Sequence, residues 1–130
     1  MFPSHDRWFS VGEASIEFVD APSGTHLGII TNNINVSRYD TLKMKINSTS
    51  ISSIDVTLKN DELNYISGNL LLSDGDNFLS TNLSSFSETG SFDSEAVREI
   101  KIDINESSVT NQITFDAMSL FSSLNGGLVA

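Results

Sequence analysis

Glu99-Ile100-Lys101-Ile102-Asp103-Ile104-Asn105 is the stretch that decides the fold. Isoleucine occupies every second position, with charged or amide side chains between. In a β-strand successive side chains point to opposite faces, so this spacing makes one apolar row and one polar row. A helix over the same residues would spread β-branched side chains around its circumference and bury none of them well. The pattern recurs three times. Leu42, Met44 and Ile46 interleave with Thr41, Lys43, Lys45 and Asn47; Ile54, Val56 and Leu58 with Asp55, Thr57 and Lys59; Ile113 and Phe115 with Thr114 and Asp116. These segments read as half-buried strands.

Working outward, Ala14 to Val19, His26 to Thr31, Tyr65 to Leu72 and Phe78 to Leu83 carry further strand patterns. Ser73-Asp74-Gly75-Asp76-Asn77 joins the last two, and its Asp-Gly step predicts a hairpin turn. Ala21-Pro22-Ser23-Gly24, Asn47 to Ser53 and Asn105 to Asn111 are turn-rich breaks. Ser85-Phe86-Ser87-Glu88 has the form of a capping box for one helical turn, and Asp93 to Val97 reads as another. Strands about every ten residues, each with one apolar face, predict an all-β fold: an antiparallel two-sheet β-sandwich. The 130 residues fit a single domain. Its ends, 1–8 and 122–130, are expected to be flexible or docked on a partner, because Gly126-Gly127 halts the last strand and leaves Leu128 and Val129 without alternation.

Composition narrows the chemistry. Seven basic against seventeen acidic residues give a net charge of −10. Nucleic-acid affinity comes mostly from Lys and Arg on phosphates, so a nucleic-acid partner is disfavoured, as is an anionic membrane surface. No stretch approaches the roughly 20 apolar residues of a membrane helix, and the start Met1-Phe2-Pro3-Ser4-His5-Asp6-Arg7-Trp8 lacks the basic and apolar regions of a signal peptide. The chain has no cysteine and only two histidines, His5 and His26. Disulfides, Cys-ligated zinc and thiol catalysis are excluded. No nucleophile elbow, phosphate loop or paired-His metal motif is present, and no spacing singles out two carboxylates for glycoside hydrolysis, so the chain does not read as an enzyme.

The second half resembles a known family. Asn77-Phe78-Leu79-Ser80-Thr81-Asn82-Leu83-Ser84-Ser85-Phe86, then Gly90-Ser91-Phe92-Asp93, Val97-Arg98-Glu99-Ile100-Lys101-Ile102 and Gln112-Ile113-Thr114-Phe115-Asp116-Ala117-Met118-Ser119-Leu120 follow in order. This run resembles the closing strands of galactose-binding-like jelly-roll domains, which include many non-catalytic carbohydrate-binding modules. Upstream, Ile34 to Leu42 is similar to the entry into that family's first central strand. The likeness spans about two-thirds of the chain, Ile34 to Leu120. Phe78 stands where the family usually has Trp. The resemblance implies a jelly roll, a glycan ligand and, at Asp116, a structural calcium ion with Asp6 and Glu13 as the available acidic partners. Ca²⁺ takes six to eight oxygen ligands, which the acidic composition permits.

Trp8, Tyr39 and Tyr65 are the aromatics with a polar handle. A sugar site needs an aromatic face for C–H groups and amides or carboxylates for hydroxyls. Tyr65 lies in sequence near Asp61, Glu62, Asn64 and Asn69, and the candidate ligand-binding set is Tyr65, Asn64, Asn69, Glu62 and Trp8. The plain reading of each aromatic is an amphipathic residue closing a sandwich edge.

Two functions follow. One is a non-catalytic, carbohydrate-binding-like module that presents a sheet face or loops to a glycan. The other is a structural or attachment protein of a virus particle, such as a capsid decoration or fibre component. That subunit would pair with neighbours, as a homo-oligomer or within a larger assembly, through its edges and apolar tails. Either role suits an extracellular surface or a virion.

Overall fold

The computed structural model describes residues 8–12, 16–19, 25–105 and 111–122, and ten strands form among them. They are β1 (Trp8–Gly12), β2 (Ile16–Val19), β3 (His26–Ile34), β4 (Thr41–Thr49), β5 (Ser53–Lys59), β6 (Tyr65–Leu71), β7 (Gly75–Asn82), β8 (Ser87–Thr89), β9 (Val97–Ile104) and β10 (Gln112–Phe121). One antiparallel sheet runs β1-β10-β4-β7, with β2 also on β10; the other runs β3-β9-β5-β6-β8. The alternating rows explain this arrangement. Leu42, Met44 and Ile46 on β4 and Ile113 and Phe115 on β10 are buried in one sheet, and Ile54, Val56 and Leu58 on β5 with Ile100, Ile102 and Ile104 on β9 in the other. They form one hydrophobic cluster between the layers. Each fully buried side chain of this kind is worth about 1.5–3 kcal/mol. This is the antiparallel β-sandwich that the alternation predicts.

Two local expectations are corrected. First, Ser73 to Asn77 is a crossover between sheets and not a hairpin turn, since β6 and β7 belong to different layers. Gly75 takes the left-handed φ of 99° that Asp-Gly steps favour. The Asn77 side chain accepts from Ser73 N at 2.8 Å and donates to Ser73 O at 2.9 Å, knitting the corner closed. The turn signal was sound; it carries no information about which sheet the next strand joins. Second, Ser85-Phe86-Ser87-Glu88 is not a helical turn. A 3-10 turn occupies Leu83–Ser85 and β8 follows. Ser85 Oγ donates back to Asn82 O and Glu88 Oε2 accepts Phe92 N, so neither side chain caps a helix. The segment at Asp93 is a single turn, with Ala96 N donating to Asp93 O at 3.2 Å before β9 begins.

The alternation expected over Ile113 to Asp116 is present, and β10 shifts its register immediately beyond Phe115. Phe115 pairs with Ile46, but Ala117 pairs with Lys45, leaving Asp116 as an extra residue. This is a β-bulge. It moves the buried row from Ile113 and Phe115 to Met118 and Leu120. The edge strand is interrupted at the same level: β1 ends at Gly12 opposite Met118, and β2 begins at Ile16 opposite Phe115.

Candidate functional site

The polar rows of β5, β6 and β9 lie side by side because their apolar rows face the core. Register then fixes the neighbours. Across β9, β5 and β6, one line reads Asp103, Asp55, Asn69; the next Lys101, Thr57, Ser67; the third Glu99, Lys59, Tyr65. These lines meet in a groove of about 270 Å³ on the outer face of the sheet.

Hydrogen bonds and ion pairs hold its floor. Asn69 Nδ2 donates to Asp55 Oδ1 at 2.9 Å, and the Thr57 and Ser67 hydroxyls are 3.0 Å apart. Lys59 Nζ donates to Glu62 Oε2 at 2.7 Å and lies 3.7 Å from Glu99 Oε1, while Lys101 Nζ is 3.8 Å from Asp103 Oδ1. Lys59 is buried, and its bond to Glu62 raises its pKa above the ordinary lysine value despite the opposing effect of burial. The same bond holds the Glu62 carboxyl below the usual range. Tyr65 stands half-buried at the end of this array. The groove thus combines a phenol ring with acceptors and donors facing solvent. That is the chemistry a polyhydroxyl ligand requires: C–H contact on a ring, and hydroxyls donating to carboxylates or accepting from ammonium groups.

The β5–β6 loop frames one end. Asp61 Oδ1 accepts Leu63 N at 2.8 Å and Asn64 N at 2.9 Å, and these bonds hold the Asp61 carboxyl below its usual value. Asn64 Oδ1 accepts Ser91 N at 2.9 Å. Asn60 donates to Asp93 O and Ala96 O and accepts Asp93 N, tying the same loop to the turn before β9.

The sequence candidates fall in four places. Tyr65 and Glu62 line the groove, and Asn69 adjoins it through Asp55. Asn64 belongs to the loop bonds, its amide engaged by Asp61 and Ser91. Trp8 lies on β1 in the other sheet, at the position opposite Phe121. Tyr39 packs against the core cluster and borders a separate apolar hollow with Phe86 and Phe92. Of the expected calcium ligands, Asp116 occupies the β10 bulge, whereas Asp6 and Glu13 lie outside the described residues. Among the described residues no group of three or more His, Asp or Glu is gathered to hold a metal ion.

Sequence reading missed Asp55, Thr57, Lys59, Ser67, Lys101 and Asp103 as site residues. The signal was present as the polar half of each alternating strand. Only the pairing of β9 with β5 and β5 with β6 brings those halves together.

No protein-family model and no curated protein matches the chain. Solved structures do. The family 11 carbohydrate-binding module from Clostridium thermocellum, in complex with a beta-1,3-1,4-mixed-linked tetrasaccharide, superposes with a TM-score of 0.63 at 13% identity, covering 89% of each chain. A second structure, the family 11 module of the cellulosomal cellulase Lic26A-Cel5E of Clostridium thermocellum, gives 0.62 at 11% identity over 89% of this chain and 88% of that one. PfGH50B gives 0.68 at 9% identity, with 88% of this chain matching 22% of that protein. The chain therefore shares the two-sheet β-sandwich fold of these structures, two of which are carbohydrate-binding modules, in line with the fold that the resemblance implies.

Proposed function

We propose that the protein is a non-catalytic glycan-binding module whose ligand lies in the Tyr65 groove. The observation that carries this reading is the juxtaposition of the half-buried Tyr65 ring with the Asp55, Asp103, Lys59 and Lys101 rows on one rigid sheet face. Sites built on strands hold their geometry better than sites on loops, so the sheet pre-orders the hydroxyl partners before the sugar arrives. The fold shared with the family 11 module that was solved in complex with a beta-1,3-1,4-mixed-linked tetrasaccharide supports the ligand class.

Non-catalytic action is supported by the electrostatics of the carboxylates. A glycosidase needs one carboxyl held protonated by a raised pKa beside a second that is ionised. Here Lys59 holds Glu62 below the usual range, Asn69 bonds Asp55, and Lys101 lies 3.8 Å from Asp103. The lowered Glu62 carboxyl is held in the ionised form, which accepts hydroxyl hydrogen bonds. Isothermal titration against neutral oligosaccharides, with product analysis of each mixture, tests both parts. Binding without hydrolysis is expected; silence across the panel, or a cleaved product, contradicts the proposal.

A further inference from the structure

The sheet on the other side of the sandwich presents a differently charged face. Lys43 and Lys45 point outward from β4, between the buried Leu42, Met44 and Ile46. Register sets Lys45 opposite Phe78 and Lys43 opposite Ser80 on β7. Lys45 Nζ stands 5.6 Å from the centroid of the Phe78 ring, and Lys43 Nζ stands 4.5 Å from that of Phe121. Lys43, Lys45, Phe78 and Ser80 line an open seam of about 310 Å³ along β4 and β7, together with Met44 and Leu79.

Two contrasts single this seam out. Lys59 and Lys101, on the opposite face, each lie against carboxylates. Lys43 and Lys45 lie instead over ring faces and make no ion pair among the described residues. A ring quadrupole steadies an ammonium group without neutralising it. Two of the seven basic residues of a chain with net charge −10 are thus set side by side with their charge available. The carboxylates of this face sit to the sides: Asp76 accepts Asn47 Nδ2 at 2.9 Å, and Asp116 is in the bulge on the β10 side of Lys45. The second contrast is Phe78, which is 74% exposed. Phe78 thus places an exposed apolar ring directly beside two cations that make no ion pair among the described residues.

We infer that this seam is a second saccharide site, distinct from the Tyr65 groove, that takes an anionic pyranoside. The C–H face of the sugar ring would stack on Phe78. Its carboxylate or sulfate would bridge Lys43 and Lys45, and a hydroxyl would reach Ser80. An acidic peptide could pair with the two lysines, but the flat ring beside them matches the C–H face of a pyranoside better than it matches carboxylate side chains. The combination of ring, paired ammonium groups and hydroxyl therefore favours a charged sugar.

The test is titration of the full chain with tetragalacturonate, a heparin-derived tetrasaccharide, neutral galactotetraose and poly-glutamate. Parallel titrations use Phe78→Ala, the double variant Lys43→Gln/Lys45→Gln, and Tyr65→Ala. The substituted side chains are exposed or half-exposed, and a far-ultraviolet dichroism spectrum confirms that each variant folds. At least one anionic sugar binds, tetragalacturonate marking carboxylate recognition and the heparin fragment sulfate recognition. The expected loss is about tenfold or more for Phe78→Ala and for the double lysine variant, with no loss for Tyr65→Ala. The proposal is overturned if neither anionic sugar binds, if galactotetraose binds the seam equally well, or if poly-glutamate binds with no dependence on Phe78. A dimer in sedimentation that Phe78→Ala dissolves would assign the face to a second copy and overturn it too. Binding of neutral glycans in the Tyr65 groove is read from Tyr65→Ala, so each site fails or stands separately.

Discussion

Asp55 and Asp103 face each other directly across the β5–β9 ladder, two carboxylates in one cross-strand pair on the floor of the groove. Like charges directly opposite on a sheet are unfavourable. Asn69 bonds to one and Lys101 lies near the other, yet neither contact separates the pair. Ligand hydroxyls donating into both carboxylates would relieve the repulsion, which gives this pair a role in binding that it lacks in folding.

Asp55→Asn separates those roles. The amide keeps the shape and removes one of the opposed charges. Stability in urea is expected to hold or rise by roughly 0.2–1 kcal/mol, while affinity for neutral oligosaccharides falls. A variant that lost stability and kept affinity would show the pair to be structural.

The glycine of β6 gives a packing prediction. A Cβ added at Gly68 would lie 2.6 Å from Cδ1 and Cε1 of the buried Phe86 ring. The ring is buried against β6, so a methyl there forces it to shift toward the hollow beside Tyr39. Gly68→Ala is expected to cost about 1–3 kcal/mol through overpacking, measured by urea denaturation. The companion Ile102→Ala empties a site that is 1% exposed and should cost about 2–5 kcal/mol.

Loop anchoring can be tested at Asn60. Its side chain makes bonds to Asp93 O, Ala96 O and Asp93 N at 2.8, 2.7 and 2.6 Å. Asn60→Ala frees the β5–β6 loop that carries Glu62 to the groove, at a cost of about 1–3 kcal/mol. Proteolysis should become faster within residues 60–64, with the core strands still protected. Unchanged protection would mean that Asp61 and Asn64 suffice to hold the loop.

Charge in the groove predicts a pH dependence of stability. Glu62 and Asp61 both have carboxyl pKa values lowered in the folded state. Their stabilisation is therefore present above the ordinary values of 4.5 and 3.8 and is lost as pH falls through the lowered folded values. Lys59 is raised, so its contribution is complete below the ordinary 10.5 and disappears only as pH climbs past the raised value. Urea midpoints should stay level between about pH 6 and 9 and fall on the acid side. Glu62→Gln should flatten part of that acid limb and leave the midpoint at pH 7 little changed, because Glu62 is exposed and solvent screens its ion pair.

Much of the architecture was legible in the sequence because period-two rows report burial directly. Ile100, Ile102 and Ile104 declared a strand and a face, and that face is the core. Pairing was not legible, because any apolar row fits any other. Asp74-Gly75 therefore announced a turn but not the passage to the other sheet, and nothing in Ile113 to Leu120 marked the bulge at Asp116. The site divided along the same line. Tyr65 and Glu62 stood out locally by residue type. Asp55 and Asp103 are 48 residues apart in sequence and become neighbours only through the β5–β9 ladder.

The central claim is tested most directly by titrating isotope-labelled protein with a neutral β-1,3-1,4-linked tetrasaccharide and following backbone amide shifts. The account predicts perturbations concentrated at Asp55 to Lys59, Tyr65 to Asn69 and Glu99 to Asp103, abolished by Tyr65→Ala. Saturable perturbations confined to β4 and β7, to the hollow beside Tyr39, or surviving unchanged in Tyr65→Ala would contradict it.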